Sequence, residues 1–425
     1  MLRRLLLVLA MAAAAAVAQS PAPPEPPKQV KTYTLPPEKL AKAIAYSRAK
    51  NGLHFIAFAY SAVVLVGVLV WKVAPRFRNW AQSVSRRRIV QAYLFVPLLF
   101  LTLDVLDLPV SLYDQHLSLQ YGQSIQEWGS WFWDWTKGEL IEFLIAGVVA
   151  WIFYGVIRRS ARRWWFYFWL AAIPIVVFLQ FLAPAVITPL FYKFEPLAAK
   201  QPALVSEIEK VTPRGGLAIP RDRMFEMKAS EKLNSVNAYV AGIGAFKRVV
   251  VWDTTLQKMT IGQTLFVFSH EMGHYVLGHV PLLIVVQCLL LLIVLYAGYL
   301  AMQRTVQRVG KRWDIPGVDD WASLPLLLLV VTVVSFVMEP ALNSFSRVLE
   351  HNADVYGLEV IHGIVPDAPQ AAAQAFQILG EVSLSDPNPS PFIKFWLYDH
   401  PGVSERVRFA AEYDPWANGT PRYVK

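Results

Sequence analysis

The sequence contains little cysteine and little charge. Its 425 residues include one cysteine, Cys288, so no disulfide within the chain can stabilise it and cysteine usage indicates no redox compartment. Only 17% of the residues are charged, whereas 55% are hydrophobic, and the mean hydropathy is +0.37. A composition this apolar excludes an ordinary soluble protein and is typical of a multi-pass membrane protein.

The basic residues lie in short segments between apolar runs. They give the chain a formal net charge of +9, a value that can also indicate binding to nucleic acid. Short basic loops are what orients helices in a membrane, however. We therefore expect the lipid bilayer, and no nucleic acid, as a partner.

Long apolar runs predict six membrane spans. These are residues 53–71, 89–108, 140–157, 164–190, 281–302 and 321–342. Four spans thus occupy residues 53–190 and two occupy residues 281–342. The tryptophan-rich segment 110–138 is predicted to be a loop at the level of the lipid headgroups.

The N-terminal residues 1–18 are typical of a secretory signal peptide. Arg3 and Arg4 precede an apolar stretch that ends in Ala16-Val17-Ala18, a small-residue cleavage pattern. The alternative is an uncleaved first membrane helix, which would be a seventh span. Residues 19–52 follow as a proline-rich tether and an amphipathic segment.

The charges of the loops predict the orientation of the chain. Basic residues are concentrated after the first, third and fifth predicted spans, and the positive-inside rule assigns these loops to the cytoplasm. Segments 19–52, 191–280 and 343–425 would then share the periplasmic side. Two distant soluble segments on one side can together build a composite site.

The sequence His270-Glu271-Met272-Gly273-His274 is the strongest chemical signal. On a helix, residues four apart project from one face, so both imidazoles can reach one zinc ion. Glu271, beside the first ligand, can hold a metal-bound water without binding the ion itself. The flanking residues are apolar, which makes unligated polar groups costly there. The alternative is a helix with two exposed histidines.

A catalytic zinc needs a third protein ligand and an open position for water. A third histidine six residues after His274 would fall at Val280, so we expect a carboxylate. Glu350 and Asp354 are four residues apart: Glu350 can bind the ion, and Asp354 can accept the other ring N–H of a ligand histidine. The alternative for this pair is a solvated acidic face.

Residues 191–280 are predicted to form a small protease segment with strands at 237–241 and 247–253.

The chain resembles the type I CAAX prenyl endopeptidases, which are integral-membrane zinc proteases, and their bacterial relatives. The resemblance extends from about Pro37 onward. It rests on five ordered elements: residues 189–197, Asn237-Ala238-Tyr239, residues 270–275, residues 350–354, and His400-Pro401 with Glu405-Arg406.

The resemblance implies both a fold and a site. The fold is an α-helical multi-pass ring around a water-filled chamber, with a gluzincin-type zinc protease domain that contains a small β-sheet. The resemblance implies that His270, His274 and Glu350 hold one Zn²⁺ and that Glu271 is the general base. Asp354 and Arg406 would be supporting groups, and His400 would lie near the oxyanion. The substrate-binding strand would contain Asn237, Ala238 and Tyr239. On sequence alone, His400 is equally an ordinary surface histidine and Tyr239 a core residue. His279, out of helical phase with His274, is predicted to be a polar group near the chamber and not a ligand.

These residues predict a zinc endopeptidase that acts on membrane-associated or hydrophobic peptides and proteins. The signal-like start favours a bacterial inner membrane, where prenylated substrates are not expected, so a quality-control protease with the same chemistry is the nearer alternative. An alternative of another class is a non-catalytic transporter or receptor with a structural zinc. The intramembrane acids Asp104, Asp107 and Glu142 fit that alternative, and fit the lining of a hydrated chamber equally well.

Overall fold

A computed structural model describes residues 29–242 and 247–424. The predicted signal peptide and most of the proline-rich tether lie outside the described residues. Helices form the first part of the chain: α1 (Pro37–Val70), α2 (Val73–Val84), α3 (Arg88–Gln120), α4 (Trp128–Arg159) and α5 (Trp164–Leu182). A π-helical turn, Ala183–Ile187, and a 3-10 turn, Thr188–Leu190, continue from α5.

Short strands and helices follow, and then long helices return. The middle part contains β1 (Phe194–Pro196), α6 (Leu197–Lys200), α7 (Pro202–Val211), β2 (Met224–Met227), β3 (Ala238–Ala241), β4 (Arg248–Trp252), α8 (Asp253–Lys258) and α9 (Ile261–Val276). The last part contains α10 (His279–Trp313), α11 (Leu324–Ile361), α12 (Ala368–Val382), α13 (Pro391–Leu397), α14 (Val403–Glu412) and α15 (Pro415–Asn418).

Five of the described helices are long and apolar enough to cross a membrane: α1, α3, α4, α10, and α11 with the turn that precedes it. The multi-pass prediction is confirmed. The predicted fourth span coincides with the shorter apolar helix α5, which contains Pro174. Six as the number of spans stays a prediction.

The prediction of a loop at residues 110–138 is wrong. Helix α3 continues to Gln120 and α4 begins at Trp128, so residues 121–127 alone connect them. A helix of 33 residues extends about 50 Å, whereas the apolar core of a bilayer is about 30 Å thick. Polar and tryptophan residues can therefore remain helical outside that core.

The long helices form a closed ring. Neighbours pack in the order α1, α3, α4, α5, α10 and α11, and α11 packs against α1. Among α1, α3, α4 and α11 lies a cavity of about 720 Å³ that is lined by apolar side chains such as Phe58 and Phe336 and by carboxylates including Asp104, Asp107 and Glu142. The ring and its cavity agree with the architecture that the family resemblance implies.

The predicted basic loops meet at one end of the ring. Arg78 of α2, which is 7% exposed, donates to the carbonyl and carboxylate of Asp314 and to Asp320, at 2.9–3.0 Å. The guanidinium of Arg158, at the end of α4, stacks 4.9 Å from the ring of Trp321. The loops after the first, third and fifth predicted spans therefore share one end, as the charge pattern predicts.

The segment before α1 docks at the opposite end. Gln370 and Gln377 of α12 each donate to and accept from the backbone of one residue, Val30 and Thr34 respectively. Tyr33 between them is buried and donates to the carbonyl of Ser385. The N-terminal segment and segment 343–424 thus lie together.

The sheet has the order β1-β2-β4-β3, with β2 and β4 parallel and the other pairs antiparallel. The two predicted strands are present as β3 and β4. One face packs into the core of the protease domain, where Val249 and Val251 meet Phe266 and Phe268 of α9. β3 is an edge strand and packs against α9.

Helices α9 and α11 approach closely at two glycines. A Cβ atom at Gly357 would lie 3.0 Å from the backbone nitrogen of His270, and one at Gly273 would lie 3.0 Å from the ring of Tyr356 and 3.3 Å from Cα of Ala353. The absence of side chains at both positions sets the spacing between the two helices.

Candidate active site

Helix α9 positions both histidines of the metal motif. The helix begins with a reciprocal cap: the backbone N–H of Gln263 donates to Thr260 Oγ1, and the Gln263 side chain accepts from the Thr260 N–H. Such a cap satisfies N–H groups that have no partner within the helix. His270 and His274 then face the same side, with their Nε2 atoms 3.2 Å apart.

Helix α11 brings Glu350 to these two nitrogens. Its Oε2 lies 3.2 Å from His270 Nε2 and its Oε1 lies 3.4 Å from His274 Nε2. Ligand atoms around a tetrahedral zinc with bonds of 2.0–2.1 Å are about 3.3 Å apart. One candidate ligand atom of each of these three side chains lies within 4.8 Å of the other two, as a shared ion requires. The three side chains therefore fit zinc.

A carboxylate lies behind His270. Asp354, one helical turn after Glu350 and 1% exposed at its side chain, places Oδ1 2.8 Å from His270 Nδ1. Arg406 of α14 donates twice to that carboxylate, at 2.9 and 2.6 Å, and its guanidinium lies 4.2 Å from the ring of Phe376. The buried charge of Asp354 is thus paired. The structure brings together Asp354 and Arg406, the two residues that the family resemblance implied as supporting groups.

His279 lies against His274, a contact that the sequence analysis missed. Its Nδ1 is 3.0 Å from His274 Nδ1, and His279 is 3% exposed. The helical-phase argument did not apply, because α9 ends at Val276 and Gly278 adopts φ +69° before α10 begins. Gly278 is the signal that could have revealed the turn, since glycine is favoured at positive φ after a helix.

Glu271 and His400 flank the ligand cluster. Burial raises the pKa of Glu271, although the imidazoles of His270 and His274 offset part of that increase. His400, in the loop before α14, places Nε2 3.1 Å from Glu350 Oε2 and Nδ1 2.8 Å from Asp399 Oδ1. The structure thus brings the distant loop of His400 to the metal motif.

The predicted substrate-binding residues lie beside the zinc helix. Ala238 and Tyr239 belong to the edge strand β3, which pairs antiparallel with β4. Asn237 precedes it, exposed, and its backbone N–H donates to Thr255 Oγ1. The side of β3 away from β4 is the outer edge of the sheet.

Comparison with known proteins agrees with this geometry. Residues 18–193 match the model of the CAAX prenyl protease N-terminal region with five membrane helices, and residues 198–414 match the model of peptidase family M48. The chain belongs to peptidase family M48. This M48 chain is therefore a zinc-dependent membrane endopeptidase related to the CAAX prenyl proteases, which favours an enzyme over a transporter or receptor.

Its relatives match along nearly their whole length. A metalloprotease of Bacillus subtilis, YhfN, is 36% identical over 88% of this chain and 86% of its own. A CAAX prenyl protease 1 homolog of Oryza sativa is 27% identical, covering 89% of this chain and 88% of its own. The crystal structure of Ste24p from S. mikatae, at 22% identity, covers 93% of both chains with a TM-score of 0.76 and shows the same fold.

Proposed function

We propose that this M48 protease hydrolyses peptide bonds at a site where His270, His274 and Glu350 hold one zinc ion. The convergence of the two imidazole Nε2 atoms, 3.2 Å apart, with the Glu350 carboxylate, whose two oxygens lie 3.2 and 3.4 Å from them, carries the proposal. A bound zinc ion supplies a Lewis acid and lowers the pKa of a coordinated water. Three protein ligands leave a position open for that water, unlike a structural site with four.

Glu271 is the general base in this proposal. It follows His270 directly on α9, beside the cluster of ligand atoms. Its carboxylate takes a proton from the attacking water and then delivers it to the leaving amine, so no covalent intermediate with the protein is needed. Asp354 and Arg406 orient His270 from behind.

His400 is proposed to stabilise the oxyanion. Its Nε2 reaches the side of Glu350 near the ligand cluster, and Asp399 holds the opposite ring nitrogen. A donor fixed in this way can stabilise negative charge that develops on the scissile carbonyl oxygen.

The outer edge of β3 is proposed to bind substrate as an added strand. Backbone hydrogen bonds to Ala238, which lies between Asn237 and Tyr239, would hold the peptide extended beside α9; the Asn237 backbone is already bonded to Thr255 and Trp252. Such binding depends little on side-chain identity. It suits hydrophobic or membrane-associated peptides, including unfolded segments of membrane proteins, and so accommodates a role in quality control.

We propose that the active site lies on the periplasmic side of a bacterial inner membrane. The basic loops lie at the opposite end of the ring, and segment 29–36 docks on α12 at the protease end. With buried Cys288 replaced by serine, a cysteine at exposed Asn388 should react with an impermeant thiol reagent in intact cells. The matched Gln307→Cys variant should be protected. The reverse labelling pattern would overturn the orientation and leave the chemistry untouched.

The enzymatic proposal is tested by zinc content and peptide cleavage in detergent, with and without chelator. One zinc per chain and chelator-sensitive cleavage are expected. Glu271→Gln should retain zinc while kcat falls about 10²–10⁴-fold, the usual contribution of general acid–base catalysis. Glu207→Gln, a partner of Lys210 on the surface helix α7, is the matched control with unchanged kcat. Full activity of Glu271→Gln, or zinc without cleavage of any peptide in a broad set, would contradict the assignment.

A further inference from the structure

We infer that His279 is a positioning residue that fixes the orientation and tautomer of His274 by accepting a hydrogen bond from its Nδ1. The inference rests on the zinc site proposed above. It adds a residue from the membrane helix α10 to a site otherwise built from α9, α11, α14 and the His400 loop.

The geometry assigns the proton between the two rings. The two Nδ1 atoms are 3.0 Å apart, and the ring planes are inclined by 71° with centroids 5.1 Å apart. His274 presents Nε2 to His270 and Glu350, so its Nε2 must be unprotonated when it binds an ion. A neutral imidazole then carries its proton on Nδ1. His274 is therefore the donor and His279 Nδ1 the acceptor.

The backbone holds His279 in place. Gly278 adopts φ +69°, a conformation that residues with side chains rarely adopt, at the break between α9 and α10. His279 is the first residue of α10, and its side chain is buried. The acceptor is thus carried by a long rigid helix and not by a mobile loop.

The two zinc-binding histidines consequently have different partners. His270 faces the carboxylate of Asp354, which Arg406 neutralises, whereas His274 faces a second imidazole. Partners of this kind orient a ligand histidine, and their loss typically reduces metal affinity about 10–100-fold. We expect His279 to contribute in that range.

The experiment compares three substitutions at one position. In His279→Leu the acceptor is lost, and zinc affinity measured by equilibrium competition with a chelator should fall about 10–100-fold. In His279→Asn, the amide oxygen occupies nearly the position of the imidazole Nδ1 and accepts, so affinity should return to within about threefold of the parent. His279→Asp should bind zinc at least as well as the asparagine variant, because a carboxylate accepts more strongly.

Kinetics and a control complete the test. At saturating zinc, His279→Leu should lower kcat with little change in KM, because His279 is proposed to orient a zinc ligand and not to bind substrate. His116→Leu, at an exposed histidine of α3, should change neither zinc affinity nor kcat. Unfolding of each variant in excess chelator separates a folding defect from a metal effect. Parent-like zinc affinity in His279→Leu, or an asparagine variant no better than leucine, would overturn the inference, whereas a parent chain that binds no zinc would overturn the proposed function itself.

Discussion

The proposed zinc-ligand cluster and the cavity inside the helix ring both place carboxylates among apolar side chains, but the partners of these carboxylates differ. In the cluster, Glu350 contacts imidazoles and Asp354 pairs with Arg406. In the cavity, one buried oxygen of Asp104 and one of Asp107 have no hydrogen-bond partner among the described residues, although Asp107 Oδ2 accepts from Ser61. The space of about 720 Å³ around them is large enough for water. Protein groups thus hold the carboxylates of the cluster in place, whereas the carboxylate oxygens in the cavity depend on water for hydrogen bonds.

The largest difference between the two regions should appear when one carboxylate of α11 is removed from each. Glu350→Ala leaves two histidines without their third ligand, so zinc affinity should fall more than about 100-fold, beyond the effect of losing an outer partner, and cleavage should become undetectable. Glu339→Ala, on the same helix but lining the cavity and paired with His54, should retain one zinc per chain. Metal analysis of both variants makes the comparison, and zinc loss in Glu339→Ala would show that the regions are not independent.

An intermediate effect is expected when the buried pair is broken. Arg406→Met leaves the Asp354 carboxylate buried without its cation, so the free energy of unfolding should fall by about 3–5 kcal/mol. Adding Asp354→Leu should recover part of that loss, because the unpaired charge is removed. Exposed Arg408 of the same helix provides the control: Arg408→Met should stay within about 0.5 kcal/mol. Denaturant unfolding in detergent measures all three, and equal losses for Arg406→Met and Arg408→Met would contradict the assigned pairing.

The smallest effect is expected in the cavity. Asp104→Asn keeps a side chain that water can hydrate, so zinc content should be unchanged and kcat/KM should stay within about threefold, or about 0.6 kcal/mol. Steady-state cleavage of a hydrophobic peptide provides the measurement. A decrease larger than about thirtyfold would mean that Asp104 contacts substrate or takes part in the chemistry, and the division between the two regions would fail.

Local patterns predicted the parts of the site that depend on spacing within one helix. The histidines four residues apart, and Glu350 with Asp354 four residues apart, project from common faces because helical periodicity demands it. Strand β4 was predicted because branched and aromatic residues favour pleated, half-buried positions, and β3 because a short segment precedes a glycine-containing turn. His400 and Arg406 could be attached to this site only through the family resemblance, since nothing local links them to α9.

The parts that were not predicted depend on what happens between elements. Segment 110–138 is helical at both ends because polar and tryptophan residues also suit helix ends beyond the bilayer core. His279 reaches His274 because the chain turns at Gly278, so the periodicity of α9 does not extend to His279. The hydrogen bond from Arg78 to Asp314 joins residues far apart in sequence, and no local sequence pattern predicts such a contact.

The close approach at Gly357 and Gly273 has a consequence for the choice of ion. These glycines set how near α11 can come to α9, and hence how far Glu350 stands from the two histidines. A methyl group at Gly357 would press on the backbone of His270 at 3.0–3.2 Å, so that the helices would have to separate by a few tenths of an ångström. The proposed site of His270, His274 and Glu350 would then suit an ion with longer bonds than the 2.0–2.1 Å that zinc makes to histidine. Two residues that have no side chain therefore help to set the distances on which the proposed zinc site depends.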